Sequence, residues 1–220
     1  MATRNEISAG ARRLAPLIGA AALIAVAAAL AAVLTWVAIG TGEQIARNES
    51  AWIQQRLTKL VPAELYDNDL FADRIAVLSP EILGVPDPVT IYRARRNGKP
   101  VAAVIHTVAI GYRGPIELLV AIRYDGTLIG VQVIRHQETP GLGDAFEQRE
   151  PDWLDRFRGL SLTHPPQQRW TVRKDHGDFD EFTGATITPR AIVKSVRRAL
   201  EYFKAQRERI FAQRSDEVMR

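Results

Sequence analysis

No cysteine occurs in this chain of 220 residues. That absence excludes disulfides, thiolate ligation of iron–sulfur clusters and thiol catalysis. It fits an oxidising or a reducing compartment equally, so it does not place the protein. Histidine is scarce too: His106, His136, His164 and His176 are the only four, with no pair at i, i+3 or i+4, which argues against a metal centre. Any redox chemistry therefore falls to a bound organic cofactor. The charge excess is small, 29 Lys plus Arg against 25 Asp plus Glu. Basic residues are mostly interleaved with acids, as Arg93, Arg95 and Arg96 are with Asp87, or Arg207 and Arg209 with Glu208. Without a contiguous basic stripe and stacking aromatics, nucleic-acid binding is excluded as a reading.

Charge is absent altogether from Leu14 to Gly40. That run exceeds the roughly 20 residues that a helix needs to cross about 30 Å of hydrocarbon. It is rich in alanine, but Leu14, Leu17, Ile18, Leu23, Ile24, Leu30, Leu34 and Val37 keep it apolar, and Trp36 near its far end suits the headgroup level. Arg4, Arg12 and Arg13 precede the run, whereas Glu43 follows it. The positive-inside rule then puts the N-terminus in the cytoplasm and the residues after about 41 outside. A cleaved signal peptide is the competing reading. Its apolar core would be only ~7–15 residues, although Ala27–Ala29 resembles the small residues of a cleavage site.

Beyond the run, residues 41–60 read as an amphipathic helix packing Ile45, Trp52, Ile53, Leu57 and Leu60 on the domain. Residues 61–89 are mixed, broken by Pro62, Pro80, Pro86 and Pro88. Thr90–Ala94 and Val101–Ala109 flank Asn97-Gly98, and Ile116–Tyr124 and Leu128–Arg135 flank Asp125-Gly126, so two hairpins are predicted. In the last strand Ile129, Val131 and Val133 alternate with Gly130, Gln132 and Ile134. A short helix is predicted over Ala145–Phe157, a short strand over Trp170–Lys174, a polar turn over Asp175–Asp180, and a long helix over Pro189–Gln213 with Ile192, Val196, Ala199, Leu200 and Phe203 on one face. Trp153 and Trp170 are expected in the core. The class is α+β, an antiparallel sheet packed by helices.

The chemistry points to Asp180-Glu181-Phe182-Thr183-Gly184-Ala185-Thr186-Ile187-Thr188-Pro189-Arg190. Thr188 suits an N-cap and Pro189 the first helical position, so a helix N-terminus should face Thr186. Free N–H groups and the positive dipole end there stabilise a phosphate. Gly184 and Ala185 lack bulk, so a large flat ligand can approach the backbone. On these grounds alone, a plain turn before a capped helix is the favoured reading, since capped helices after glycine turns are common.

Asp180-x-x-Thr183-Gly184-Ala185-Thr186 resembles the acceptor motif of flavin transferases, D-x-x-[S/T]-G-A-[S/T]. The chain as a whole resembles the G subunit of the Rnf electron-transport complex. Four features carry the likeness: the N-terminal span, Gly111-Tyr112-Arg113-Gly114-Pro115-Ile116, the loop Glu138-Thr139-Pro140-Gly141-Leu142-Gly143, and the acceptor motif before a terminal helix. The chain is also similar to the C subunit of the sodium-translocating NADH:quinone reductase, but its length and its Thr188-Pro189-Arg190-Ala191 continuation favour the Rnf branch.

The resemblance implies FMN joined through its phosphate to the Thr186 hydroxyl, attached by a separate FAD-dependent transferase that recognises Asp180. It implies that Thr183, Gly184, Ala185 and Thr188 surround the attachment point. Glu138, Thr139, Leu142 and Gly143 would line the flavin, with Leu142 against the ring and Thr139 offering a hydroxyl. A plain connection remains the other reading of that loop. Gly114 is a candidate for the ring's surroundings. Lys174 has two open readings, a cation beside flavin N1 or the phosphate, or a surface lysine. His136 reads as structural, and no residue reads as catalytic or as a metal ligand. The expected organisation is a cytoplasmic N-terminus (1–13), a transmembrane helix (14–40), a connecting region (41–89), an FMN-binding domain (90–205) and a helix end and tail (206–220). The implied role is an electron-transfer subunit of a bacterial inner-membrane, ion-translocating ferredoxin:NAD oxidoreductase, with its main domain periplasmic and other membrane subunits as partners. The alternatives are the equivalent reductase subunit, or a membrane-anchored FMN-binding regulator outside a respiratory chain.

Overall fold

A computed structural model describes residues 3–79, 83–84, 86–148, 153–215 and 218–219, apart from the side chains of residues 3–18, 39, 42–47 and 49. Pro80, residues 149–152 of the expected short helix, and the side chains of Arg4, Arg12, Arg13, Leu14, Leu17, Ile18, Glu43 and Ile45 lie outside the described residues. The chain forms two compact units, Met1–Trp52 and Ile53–Arg220. Helix α1 (Thr3–Leu60) makes up the described part of the first unit and begins the second.

Within the first unit, Gly19–Ala38 is 20 residues long and apolar enough to cross a membrane. Leu23, Ile24, Leu30, Leu34 and Trp36 are all exposed, as lipid-facing side chains are. Thr35 Oγ1 donates to the Ala31 carbonyl and Thr41 Oγ1 to that of Val37, each at 2.8 Å. Both hydroxyls are thereby satisfied inside the helix, which hydrocarbon demands.

The second unit is built on a six-stranded sheet in the order β5-β4-β3-β2-β1-β6. Its strands are β1 (Arg74–Val77), β2 (Val89–Arg96), β3 (Lys99–Ile110), β4 (Pro115–Arg123), β5 (Leu128–Arg135) and β6 (Val218–Met219). Both expected hairpins form. Asn97 and Gly98 take positive φ in the first, as a two-residue turn of the primed type requires. The second turn is wider: the Arg123 N–H bonds the Thr127 carbonyl, and the Thr127 N–H bonds Asp125 Oδ1.

Helices cover the two faces. Helix α3 (Ile187–Ala212) buries Ile192, Val196, Ala199, Leu200 and Phe203 in one core with Ile91, Ile105, Leu118 and Val120. The end of α1 and the following loop bury Leu57, Leu60, Val61 and Leu70 in the other, with Tyr92, Val104, Leu119 and Ala121. The short helix α2 (Ala145–Gln148) and a 3-10 turn (Trp153–Phe157) follow β5. Trp153, Phe157, Trp170, Phe179 and Phe182 then stack in a buried cluster, with Phe157 and Phe179 centroids 4.8 Å apart and Trp153 and Phe182 centroids 5.1 Å apart.

Several expectations are corrected. The sheet is mixed, because β6 pairs parallel with β1 through Ala76–Val218 and Val77–Met219. β1 lies in the segment read as irregular, since four residues are too few to show a period. The alternation in β5 breaks at a bulge where Ala121 pairs Gly130 but Ile122 pairs Leu128. Ile129 therefore joins one core while Val131 and Val133 join the other. No strand forms over Trp170–Lys174: Val172 makes one isolated bridge to Phe179, and Arg173–Asp175 is a 3-10 turn. Aromatic packing, rather than a ladder, holds that segment.

Two arginines of β2 secure the far end of α3. Arg93, only 2% exposed, donates from Nε to Asp73 Oδ1 (2.7 Å), from Nη1 to the Ile210 carbonyl (3.0 Å) and from Nη2 to Ser215 Oγ (2.8 Å). Arg95 joins Asp73 Oδ2 to the Phe211 carbonyl, each at 2.8 Å. Cations thus satisfy carbonyls that the helix end leaves unpaired, at the negative end of its dipole. Arg93→Met, which leaves Asp73 Oδ1 and the Ile210 carbonyl without this cation, should cost about 3 kcal/mol in urea unfolding. Arg93→Lys should recover only part of it, because an ammonium lacks the fork.

His106 on β3 titrates against the fold. Burial holds its pKa below the ordinary 6.5, despite Glu117 opposing the shift. Its Nε2 lies 3.2 Å from Glu117 Oε2 without the alignment of a hydrogen bond. The folded state binds this proton less readily than the unfolded chain does. Its contribution to stability is therefore complete above pH 6.5 and is lost as pH falls through the lower folded-state value. The urea midpoint should drop between pH 7 and pH 5, and His106→Gln should flatten that slope.

Candidate functional site

Three loops meet the N-terminus of α3. The β3–β4 hairpin closes at Ile110–Pro115, with the Gly111 N–H bonded to the Gly114 carbonyl at 2.8 Å. The loop after β5 runs through residues 136–144. Glu138, 5% exposed, joins these pieces. Its Oε1 accepts the Arg113 N–H (3.0 Å), and its Oε2 accepts the Thr188 hydroxyl (2.5 Å). A Cβ at Gly111 would lie 2.5 Å from Oε1, and one at Gly143 2.6 Å from Oε2, so both glycines are required by close approach. His136 orients the glutamate: its Nδ1 accepts the Glu138 N–H at 3.2 Å, its Nε2 lies 3.2 Å from Glu147 Oε1, and its ring meets Phe146 edge-on. The loop then folds on itself, the Leu142 and Gly143 N–H groups donating to the Thr139 carbonyl and the Gly141 N–H to Asp144 Oδ1.

The acceptor segment is anchored by Phe182, which is buried against Trp153 and Phe146. Ala185 bonds back to the Phe182 carbonyl at 3.0 Å, and Gly184 takes φ +80° in the turn between them. Helix α3 starts two residues earlier than expected. Thr186 is its N-cap, Ile187 its first residue, and Pro189 its third. Thr188 lies inside the first turn, its hydroxyl donating to Glu138. Pro189 is still within the first turn, where a missing N–H costs nothing. The Thr186 side chain makes no capping hydrogen bond. Its hydroxyl thus stands at the positive end of a 26-residue helix without being spent on that helix.

Of the expected site residues, Thr183, Gly184, Leu142 and Lys174 are exposed, and Ala185, Thr186, Thr139 and Gly114 are half-buried. Glu138, Gly143 and Thr188 are buried. Leu142 and Ile187 are 48% and 47% exposed, and a Cβ on Gly184 would touch Leu142 Cδ2 at 3.6 Å, so the two loops abut. Lys174 sits on the turn Arg173–Asp175, whose Asp175 pairs with Arg190 through two bonds of 2.6 and 2.9 Å. Hydrogen bonds from Arg190 hold the Asp175 carboxyl below the usual range, and Asp175 in turn raises Arg190. Asp180 pairs with Arg156 and with Arg173.

Sequence reasoning missed the Gly111–Glu138 contact, the Phe182 anchor, and the ion pairs of Arg156, Arg173 and Arg190. Gly111 opens the Gly111–Ile116 motif and was available as a signal. The arginine pairings span 7 to 24 residues with no periodicity to reveal them. A groove of about 510 Å³ lined by Asp125, Thr127, Thr163, Leu200, Phe203 and Arg207, among others, contains none of these residues. The site is an exposed face. It suits a ligand with a phosphate at Thr186 and a flat apolar body over Leu142 and Ile187.

Glu138→Ala leaves the buried Thr188 hydroxyl and Arg113 N–H without their acceptor. A loss of about 1–3 kcal/mol is expected by urea unfolding, with hydrogen exchange at residues 111–114 and 186–190 accelerating more than elsewhere.

Comparison with known proteins agrees with this geometry. The family described as FMN-binding domain matches residues 111–201, from the hairpin loop to the middle of α3. The chain is similar to the G subunit of the ion-translocating oxidoreductase complex of Vibrio atlanticus, at 44% identity over 79% of this chain and 83% of that one. It matches the G subunit of the same complex from Pseudoalteromonas atlantica at 47% identity over 79% and 81%, and that from Shewanella oneidensis at 47% over 71% and 74%. Among solved structures, the C subunit of the Na(+)-translocating NADH-quinone reductase from Parabacteroides distasonis is a loose likeness, with 17% identity, a TM-score of 0.38, and 58% of this chain and 65% of that chain covered. On the strength of its curated relatives, this chain belongs to the family of G subunits of ion-translocating oxidoreductase complexes.

Proposed function

We propose that this chain is the electron-transfer subunit of a membrane-bound, ion-translocating ferredoxin:NAD oxidoreductase, carrying FMN as a phosphoester on Thr186. One observation supports this above the others. The Thr186 hydroxyl lies at a helix N-terminus, uncommitted to capping, at the edge of an exposed apolar platform. That is the geometry which a tethered phosphate and a flat ring require.

When bound, the flavin supplies the redox chemistry, and the protein supplies attachment, orientation and electrostatics. Thr186 is the tether and not a catalyst. Leu142 and Ile187 seat the ring, with Thr139 and Gly114 at its margins, while Thr183, Gly184 and Ala185 give the backbone close approach. Lys174 offers its cation to the phosphate or to N1. Glu138, Gly143 and Thr188 are buried and act by holding the loops in place. Attachment is a phosphoryl transfer from FAD by a separate transferase. The bond from phosphorus to Thr186 Oγ1 forms, the pyrophosphate bond to AMP breaks, and the hydroxyl proton leaves. Asp180 marks the segment for that enzyme.

The span near the N-terminus anchors the chain in a bacterial inner membrane. The three arginines before it support a cytoplasmic N-terminus and a periplasmic flavin-binding domain, residues 90–205 in the main. A covalent bond keeps FMN where no free pool would replace it. A flavin held on this exposed face would exchange single electrons with other membrane subunits of the complex. No turnover is expected from the isolated chain.

Mass spectrometry of the peptide 175–190 from native membranes should show one FMN less one water on Thr186. Thr186→Ala should abolish covalent flavin fluorescence and Thr186→Ser should keep it. An unmodified peptide from wild-type protein made with an active transferase would overturn the reading.

A further inference from the structure

Asp180, the first residue of the acceptor motif, is already engaged. Its Oδ1 pairs with Arg173 Nε at 2.7 Å and its Oδ2 with Arg156 Nη1. Its carbonyl accepts the Trp153 indole N–H at 3.0 Å. An enzyme reading this carboxylate directly would have to displace two guanidinium groups first. We propose that Arg156 and Arg173 are positioning residues for flavin attachment, holding the acceptor turn through Asp180 in the conformation that the transferase modifies. The inference rests on the phosphoester reading above and names how Asp180 serves it.

The two arginines come from different places. Arg156 belongs to the turn Trp153–Phe157, whose Trp153 and Phe157 are buried among the aromatic rings. Arg173 opens the turn Arg173–Asp175. The other end of that second turn, Asp175, is paired with Arg190 in the first turn of α3. Ionic links therefore bracket Thr183–Thr186, one before it at Asp180 and one after it at Arg190, and both pass through residues 173–175. Between them Phe182, Thr188 and Pro189 are buried, while Thr183, Gly184 and Ile187 are exposed. Thr183 and Gly184 have no burial of their own, so the exposed turn between the Phe182 anchor and the Thr188–Glu138 bond is left to these links.

Their location separates local from global effects. Arg156 and Arg173 side chains are 47% and 65% exposed, so the pairs contribute little to the stability of the domain and are screened by salt. Phosphoryl transfer is more demanding. Thr186 Oγ1 must stand in line with the breaking pyrophosphate bond, and misplacement by about 1 Å costs on the order of a hundredfold in rate. A weak clamp can thus control the reaction without controlling folding.

The test uses the full chain in detergent, made without transferase, then given purified flavin transferase and FAD. Covalent flavin incorporation is followed by intact mass, and kcat and KM are separated by varying the acceptor protein. Asp180→Asn and the pair R156Q/R173Q should each lower kcat/KM on the order of tenfold, and the triple variant should be no slower than either. R156K/R173K should recover part of the rate. Melting temperatures should stay within about 4 °C of wild type. If R156Q/R173Q incorporates flavin at the wild-type rate while Asp180→Asn does not, Asp180 is read directly and the positioning role is wrong. Additive losses in the triple variant would also overturn it. If the wild-type chain takes no flavin, the phosphoester reading itself fails, and the inference with it.

Discussion

The buried carboxyl group of Glu138 is the point on which the site depends. Its side chain reaches both the β3–β4 hairpin, through the Arg113 N–H, and the first turn of α3, through the Thr188 hydroxyl. Burying a carboxyl group is costly unless hydrogen bonds repay its lost water. Those bonds here come from elements 25 and 50 residues away. The requirement propagates outward. Gly111 and Gly143 must lack side chains because the carboxyl occupies that space, and His136 must present a ring nitrogen to the Glu138 N–H. Thr188, its hydroxyl donating to Glu138, lies inside the first turn of α3, and Thr186 stands at the N-cap.

Aromatic packing does the complementary task. The excursion between β5 and α3 has little regular structure, so its backbone gains little from ladders. Trp153, Phe157, Trp170, Phe179 and Phe182 supply apolar area instead, bringing the segment onto the same core as the sheet. At the other end of α3, Arg93 and Arg95 fix the helix through its last carbonyls. The helix that begins at Ile187 is therefore held at both termini by side chains from the sheet or its loops, with an apolar face buried between them.

Much of this was legible in the sequence where the signal was local. Asn97-Gly98 between apolar runs named a hairpin because few residues accept two successive positive φ angles. The face formed by Ile192, Val196, Ala199, Leu200 and Phe203 named the buried side of α3. The apolar run and the Thr183–Thr186 motif were visible as strings of residues. Illegible were the features that pair distant residues. β1 and β6 are short strands that exist only because they meet each other and β2. The bulge that turns Ile129 to the opposite core depends on β4, not on β5 alone. The N-cap was misplaced by two residues because Thr188-Pro189 satisfies local cap preferences, whereas the helix begins at Ile187.

By itself, then, the sequence determined one span long enough for a membrane, two hairpins and a long amphipathic helix. Each of these is set by the periodicity or the φ preferences of adjacent residues. Tertiary structure alone decided which threonine caps the helix, which loops meet there, and that Asp180 is shared between two arginines. Those outcomes depend on hydrogen bonds and ion pairs between segments far apart in the chain, and no local propensity encodes such partners.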